Sequence, residues 1–150
     1  MFEIERKYLV KKDVYSVIDE IKPHQITQAY LVNEKSKSVR IRIMDDVAFL
    51  TIKSDIVGIT SKEYEYEIPV NEALSLIESF GLKTLNKKRY KVDFNSKTWE
   101  IDVFDENLDG LVLAEIELQS EDEKFDVPEW IGLEVTLNPE YLNANLINRL

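Results

Sequence analysis

Along almost the whole chain, segments alternate so that one face is ionic and the other apolar, and this pattern narrows the fold more than any other feature. Successive side chains of an extended segment leave on opposite faces. Glu3, Glu5 and Lys7 therefore share one face, opposite Ile4, Arg6 and Tyr8. Arg40 and Arg42 alternate with Val39, Ile41 and Ile43, and Lys53 follows Thr51 opposite Leu50 and Ile52. Glu63, Glu65 and Glu67 alternate with Tyr64, Tyr66 and Ile68, while Lys87, Arg89 and Lys91 oppose Tyr90 and Val92. Glu100 and Asp102 oppose Ile101 and Val103, and Glu115 and Glu117 oppose Ala114, Ile116 and Leu118. Glutamate is a poor strand former, so stacking it this way needs a reason beyond backbone propensity.

The alternation predicts strands at 2–10, 25–33, 37–44, 47–54, 62–70, 84–94, 97–104 and 111–119, with a further short strand from Leu133 to Leu137. Turn signals separate many of them: Asn33 to Ser38, Asp45-Asp46, Asn95-Ser96 and Asn107 to Gly110. Helical spacing appears at 13–21, at 72–80 with Asn71 as cap and Gly81 as stop, and at 139–149 after Asn138-Pro139. Short connections favour antiparallel neighbours, because parallel ones need long crossovers. One α+β domain over 1–150, built on a large antiparallel sheet that is expected to close, is the economical solution.

A two-layer protein with a solvated charged face would also alternate. Two details count against it. The ionic positions are almost all fully charged rather than Thr, Ser or Gln, and they come as like-charged doublets, which repel unless something of opposite sign lies between them. Closing the sheet with this face inward gathers six cations (Lys7, Arg40, Arg42, Lys53, Lys87, Arg89) and seven anions (Glu3, Glu5, Glu63, Glu65, Asp102, Glu115, Glu117). Buried unpaired, each would cost several kcal/mol, so such a lumen should be wet or filled by ligand. A metal–polyphosphate complex satisfies both signs.

Composition sets the boundaries of that reading. A net charge of −10 argues against nonspecific binding to a nucleic-acid backbone. No apolar run approaches the ~20 residues that cross a bilayer, and the start lacks a basic-then-apolar signal pattern. With no Cys, cytoplasmic residence is the expectation. One His and no Cys leave little for zinc or copper, whereas the many carboxylates suit Mg²⁺ or Mn²⁺.

The chain resembles the CYTH superfamily, the triphosphate tunnel metalloenzymes. Glu3-Ile4-Glu5-Arg6-Lys7 matches the family's Glu-x-Glu-x-Lys motif, and the likeness continues in order through Gln28-Ala29-Tyr30-Leu31, Val39-Arg40-Ile41-Arg42, Leu50-Thr51-Ile52-Lys53 and Glu63-Tyr64-Glu65. It then runs through Lys87-Lys88-Arg89-Tyr90, Glu100 to Phe104, Ala114 to Glu117 and Gly132 to Thr136. The resemblance implies a closed tunnel of eight antiparallel strands with a charged lumen and helices outside. It implies that Lys7, Arg40, Arg42, Lys53, Lys87 and Arg89 grip phosphate, that Glu3, Glu5, Glu63, Glu65, Asp102, Glu115 and Glu117 hold Mg²⁺ or Mn²⁺ or orient water, and that Glu5, Lys7, Arg42 and Lys53 take part in catalysis. A homodimer is one assembly it implies. Two departures stand out: the last helix, Asn138 to Asn145, lacks the basic residues common in relatives, and Lys62 stands where arginine is frequent.

The expected reaction is metal-assisted hydrolysis of a small polyphosphate, tripolyphosphate first, since no segment suggests base recognition. Thiamine triphosphatase, nucleoside triphosphatase and adenylate cyclase activity remain alternatives on the same fold, as does a non-catalytic polyphosphate-binding module. Glu67, Lys91 and Glu100 are read as strand-end residues with a smaller claim on the site. His24 is expected in a surface connector, Tyr30 either lining the tunnel or packing, and Trp99 and Trp130 packing.

Overall fold

The computed structural model describes residues 1–105, 108 and 110–150, with Asp55 by its backbone alone. Among these residues the strands are β1 (Phe2–Val10), β2 (His24–Glu34), β3 (Lys37–Met44), β4 (Val47–Val57), β5 (Thr60–Ile68), β6 (Leu85–Phe94), β7 (Lys97–Phe104), β8 (Val112–Leu118) and β9 (Ile131–Glu134). The helices are α1 (Val14–Ile18), α2 (Val70–Ser79) and α3 (Asn143–Leu146), the last flanked by 3-10 turns at Pro139–Tyr141 and Ile147–Arg149.

Local chemistry places the hairpins. Glu34 pairs with Lys37, Met44 with Val47, Val57 with Thr60 and Phe94 with Lys97, so each of these connections spans two residues. Three of these turns use left-handed backbone, at Asp45 (φ 53°), Gly58 (59°), Asn95 (46°) and Ser96 (66°). The signal at Asn107 to Gly110 lies in part outside the described residues.

All pairings are antiparallel, and they close. Around the ring the order is β1, β5, β4, β3, β2, β6, β7, β8 and back to β1. The seam between β1 and β5 has only three registered pairs: Phe2 with Lys62, Glu3 with Ser61 and Ile4 with Thr60. Beyond it the same edge of β1 is taken by β9, through Tyr8 with Glu134 and Val10 with Ile131. The fold is thus the expected closed eight-stranded antiparallel barrel, with a ninth strand hooked on outside the ring.

The barrel carries its apolar layer on the outside. Tyr8, Val92, Trp99, Ile101, Ala114, Ile116 and Leu118 pack beneath α1 and beneath Trp130 and Phe125 of the segment before β9. Trp99 meets Tyr8, Phe125 and Trp130 edge-on at 5.5, 5.8 and 5.9 Å between centroids. Ala73, Leu76 and Ile77 of α2 cover Ile41, Ile43, Ala48 and Leu50. A third cluster closes one mouth. Leu9, Tyr30, Leu85, Phe104 and Leu113, at strand ends, meet Tyr141, Leu146, Ile147 and Leu150 of the C-terminal segment.

Several boundaries differ from the sequence reading. The strand expected at 62–70 begins at Thr60 and ends at Ile68, because Pro69 is extended (ψ 138°) and cannot donate to a ladder. The last short strand is Ile131–Glu134 rather than 133–137, its position set by Tyr8 and Val10 across the pair. The helix expected at 13–21 contracts to Val14–Ile18. The one expected at 139–149 breaks at Leu142 (ψ 134°), which turns Leu146 and Ile147 onto the barrel mouth. Asn138 does cap its start, accepting from Glu140 N at 3.1 Å. His24 opens β2 rather than lying in a connector.

Candidate active site

Register fixes which side chains share the lumen. Directly paired residues of antiparallel strands lie on one face. Lys7 pairs with Glu115, Glu5 with Glu117, Arg89 with Asp102, Lys53 with Glu63, and Thr51 with both Arg40 and Glu65. Arg42 pairs with Gln28. The apolar faces of these strands are the ones covered by helices and loop outside, so the ionic faces turn inward. All thirteen residues expected at the site (Glu3, Glu5, Lys7, Arg40, Arg42, Lys53, Glu63, Glu65, Lys87, Arg89, Asp102, Glu115 and Glu117) therefore share the inward face, with Glu65 and Glu117 at its solvent-exposed end.

Ten of them fall into three groups. In the first, Asp102 lies between two cations: Lys87 Nζ donates to it at 2.7 Å, Arg89 Nε at 2.8 Å and Arg89 Nη2 at 2.9 Å. Glu115 stands beside them, 3.3 Å from Lys7 Nζ and 3.8 Å from Arg89 Nη2. This knot is dry, with Lys87 and Asp102 only 0% and 1% exposed and the ring of Phe104 under Lys87 at 5.4 Å. Lys7 also donates to the Tyr141 carbonyl at 2.9 Å, tying the knot to the segment that closes the mouth. The expectation of a uniformly wet lumen does not hold here; ion pairs and apolar side chains fill this end.

The second group is Lys53 between Glu3 at 2.6 Å and Glu63 at 3.6 Å. The third is Thr51, which donates to Glu65 at 3.0 Å and accepts from Arg40 Nη2 at 3.4 Å. Solvent reaches these two groups, and Glu65 is 41% exposed. Glu117, Glu67 and Lys91 are exposed, and Glu100 pairs with Arg89 at 3.2 Å. His24 is a partly exposed rim residue whose Nδ1 lies 2.6 Å from Asp45. Tyr30 packs against the mouth cluster, and Trp99 and Trp130 are packing residues outside the ring.

Burial is the largest cause of the shifts at three of these side chains, and like-charged neighbours add to it. Burial, then the neighbouring Arg40 and Arg89, pull the Arg42 guanidinium down to about 10. Burial, then Glu115 and Glu3, push the Glu5 carboxyl up to about 8. Burial also pulls the Lys87 ammonium down to about 7, against the attraction of Asp102. Elsewhere pairing prevails over burial. Lys7 and Arg89 hold Glu115 down to about 2, Lys87 and Arg89 hold Asp102 well below the carboxylate range, and Glu5, Glu3 and Glu63 hold Lys53 above the lysine range.

The donor set fits a hard divalent cation. Glu63 Oε2 and Glu115 Oε1 are buried without a hydrogen-bond donor, although ammonium groups stand 3.6 and 3.3 Å away. Among the described residues no three Asp, Glu or His side chains form a ready-made cage. Carboxylate oxygens are the ligands that hard cations such as Mg²⁺ take.

Thr51, Gln28 and Ser61 are buried polar residues on this face that a selection of ionised side chains passes over, and the first two matter most. Thr51 is 2% exposed, and Gln28 is 0% exposed. Gln28 accepts from Arg42 Nε at 3.3 Å, while its Nε2 has no hydrogen-bond partner. The signal that could have found both was their register: each sits at an inward position of a strand, directly opposite an arginine.

Residues 1–149 match the family described as CYTH domain. Over 146 residues the chain is 46% identical to an inorganic triphosphatase of Acetivibrio thermocellus, spanning 97% of this chain and 92% of that protein. An inorganic triphosphatase of Nitrosomonas europaea is 34% identical over 150 residues, spanning 97% of both. The crystal structure of an inorganic triphosphatase superposes with a TM-score of 0.67 at 33% identity, again over 97% of each chain. With the closed barrel, its inward charges and these relatives in agreement, the chain belongs to the CYTH-domain family.

Proposed function

We propose that this protein is an inorganic triphosphatase that hydrolyses tripolyphosphate to pyrophosphate and phosphate with Mg²⁺ or Mn²⁺. One observation carries the reading: the inward face of the barrel gathers cations and anions together, and there burial, with like-charged neighbours adding to it, lowers Arg42 and raises Glu5. A polyanion relieves the first and a divalent cation the second. The names of the two relatives that span the chain support the same substrate class.

Arg40, Arg42, Lys53 and Arg89 grip the phosphate chain, with arginine supplying paired donors and Lys53 a point charge. Lys7 and Lys87 complete the cationic wall from its buried end. Their positive charge stabilises the negative charge that moves onto the leaving phosphate. Glu3, Glu5, Glu63, Glu65, Glu115 and Glu117 would hold the metal; when bound it polarises phosphate oxygens and makes water a better nucleophile. Asp102, implied as a ligand by the resemblance, has both oxygens taken by Lys87 and Arg89, and its role is to fix those two cations.

Phosphate release from tripolyphosphate, ATP, thiamine triphosphate and pyrophosphate, each with Mg²⁺ or Mn²⁺, tests the reading. Tripolyphosphate is expected to be the preferred substrate, and Arg42→Ala is expected to lose most turnover while staying folded. Turnover of ATP or thiamine triphosphate at least as fast as tripolyphosphate would overturn the substrate assignment.

A further inference from the structure

We infer that Gln28 is a phosphate-contacting residue, the uncharged member of the cationic wall. The inference deepens the proposed function and rests on it. Gln28 lies on the inward face of β2, with Arg42 directly opposite on β3 and Leu85 opposite on β6. Its side chain is wholly buried. Arg42 Nε donates to Oε1 at 3.3 Å, which fixes the amide's orientation, since the reversed amide would set two donors against each other.

That orientation leaves Nε2, with two hydrogens, unpartnered and out of contact with water. A buried donor with no acceptor is a standing penalty that native proteins seldom keep without a use. The acceptor it lacks is what a phosphate oxygen bound on Arg42 provides. An amide also suits this position electrostatically. Arg42 is already pulled down by burial and then by Arg40 and Arg89, and a further cation would add to that repulsion, whereas an amide adds a hydrogen bond and no charge.

Two substitutions separate this role from a structural one. Gln28→Leu removes both the acceptor and the stranded donor. Gln28→Glu keeps an acceptor for Arg42 and replaces the donor with an oxygen that repels phosphate. KM and kcat for tripolyphosphate and the thermal midpoint without ligand are measured for each. In Gln28→Leu the loss of the stranded Nε2 and the stranding of Arg42 Nε oppose each other, so the midpoint does not separate the two roles; KM is expected to rise roughly 10- to 100-fold, the range for a lost hydrogen bond to a charged partner. Gln28→Glu is expected to raise KM further.

A residue that only braced Arg42 would behave differently: Gln28→Glu, which keeps an acceptor for Arg42, would retain the wild-type KM. That result, or an unchanged KM in Gln28→Leu alone should Gln28→Glu fail to fold, overturns the inference and leaves the proposed function standing. Wild-type protein inert toward tripolyphosphate overturns both.

Discussion

At the scale of single residues, the site is a set of charges held in places that water alone would not favour. Glu5 illustrates the consequence. Burial, then Glu115 and Glu3, push its carboxyl up to about 8 in the folded protein from an ordinary value of 4.5. Between those values the folded state keeps a proton that the unfolded chain has released, so this group makes stability fall as pH rises through that window. Glu5→Gln removes the dependence. Thermal midpoints of the metal-free proteins should therefore coincide near pH 4.5 and diverge toward pH 8, with the variant the more stable. Parallel profiles would show that Glu5 does not carry the repulsion assigned to it. Glu115 has the opposite sign: held down to about 2 by Lys7 and Arg89, it adds stability above its ordinary 4.5 that is lost as pH falls toward 2.

At the scale of elements, much was legible in the sequence because the strands speak twice, through alternation and through turn residues. The strands Phe2–Val10, Lys37–Met44 and Lys97–Phe104 match their expected limits to the residue. Each is bounded by a hairpin signal or carries an uninterrupted ionic–apolar alternation. The inward set was readable for the same reason, since like-charged doublets on one face make poor sense in water. What the sequence could not convey depended on distant partners. The limits of β9 follow from its pairing with β1, and Gln28 gains meaning only once Arg42 lies opposite it. The C-terminal helix looked continuous because its leucine spacing is helical, yet the chain turns at Leu142 to set Leu146 and Ile147 on the barrel mouth. Leu146 is 0% exposed, so Leu146→Ala should cost about 2–5 kcal/mol in a urea titration. A cost near zero would mean that this segment does not seal the mouth.

At the scale of the whole molecule, the usual arrangement is reversed: charge lines the interior, and the apolar layer lies between the barrel and the helices and loop that wrap it. Closure is what makes this useful. An open sheet would spread the same arginines and glutamates into water, where screening would weaken them. A ring concentrates them around one space and limits solvent's access, so each charge acts more strongly on whatever enters. The ring is sealed at one mouth by the C-terminal segment, which also holds Lys7 through the Tyr141 carbonyl. Substrate should therefore enter from the side where Glu65 and the Lys53 group are reached by solvent. The most direct measurement is a crystal structure with tripolyphosphate and Mg²⁺ or Mn²⁺ at a pH where turnover is slow. The account predicts the phosphate chain inside the barrel, against Arg40, Arg42, Lys53 and Arg89, with the metal between it and the glutamates. Density for the phosphate chain confined to the outer surface, with those arginines still paired as they are here, would contradict it.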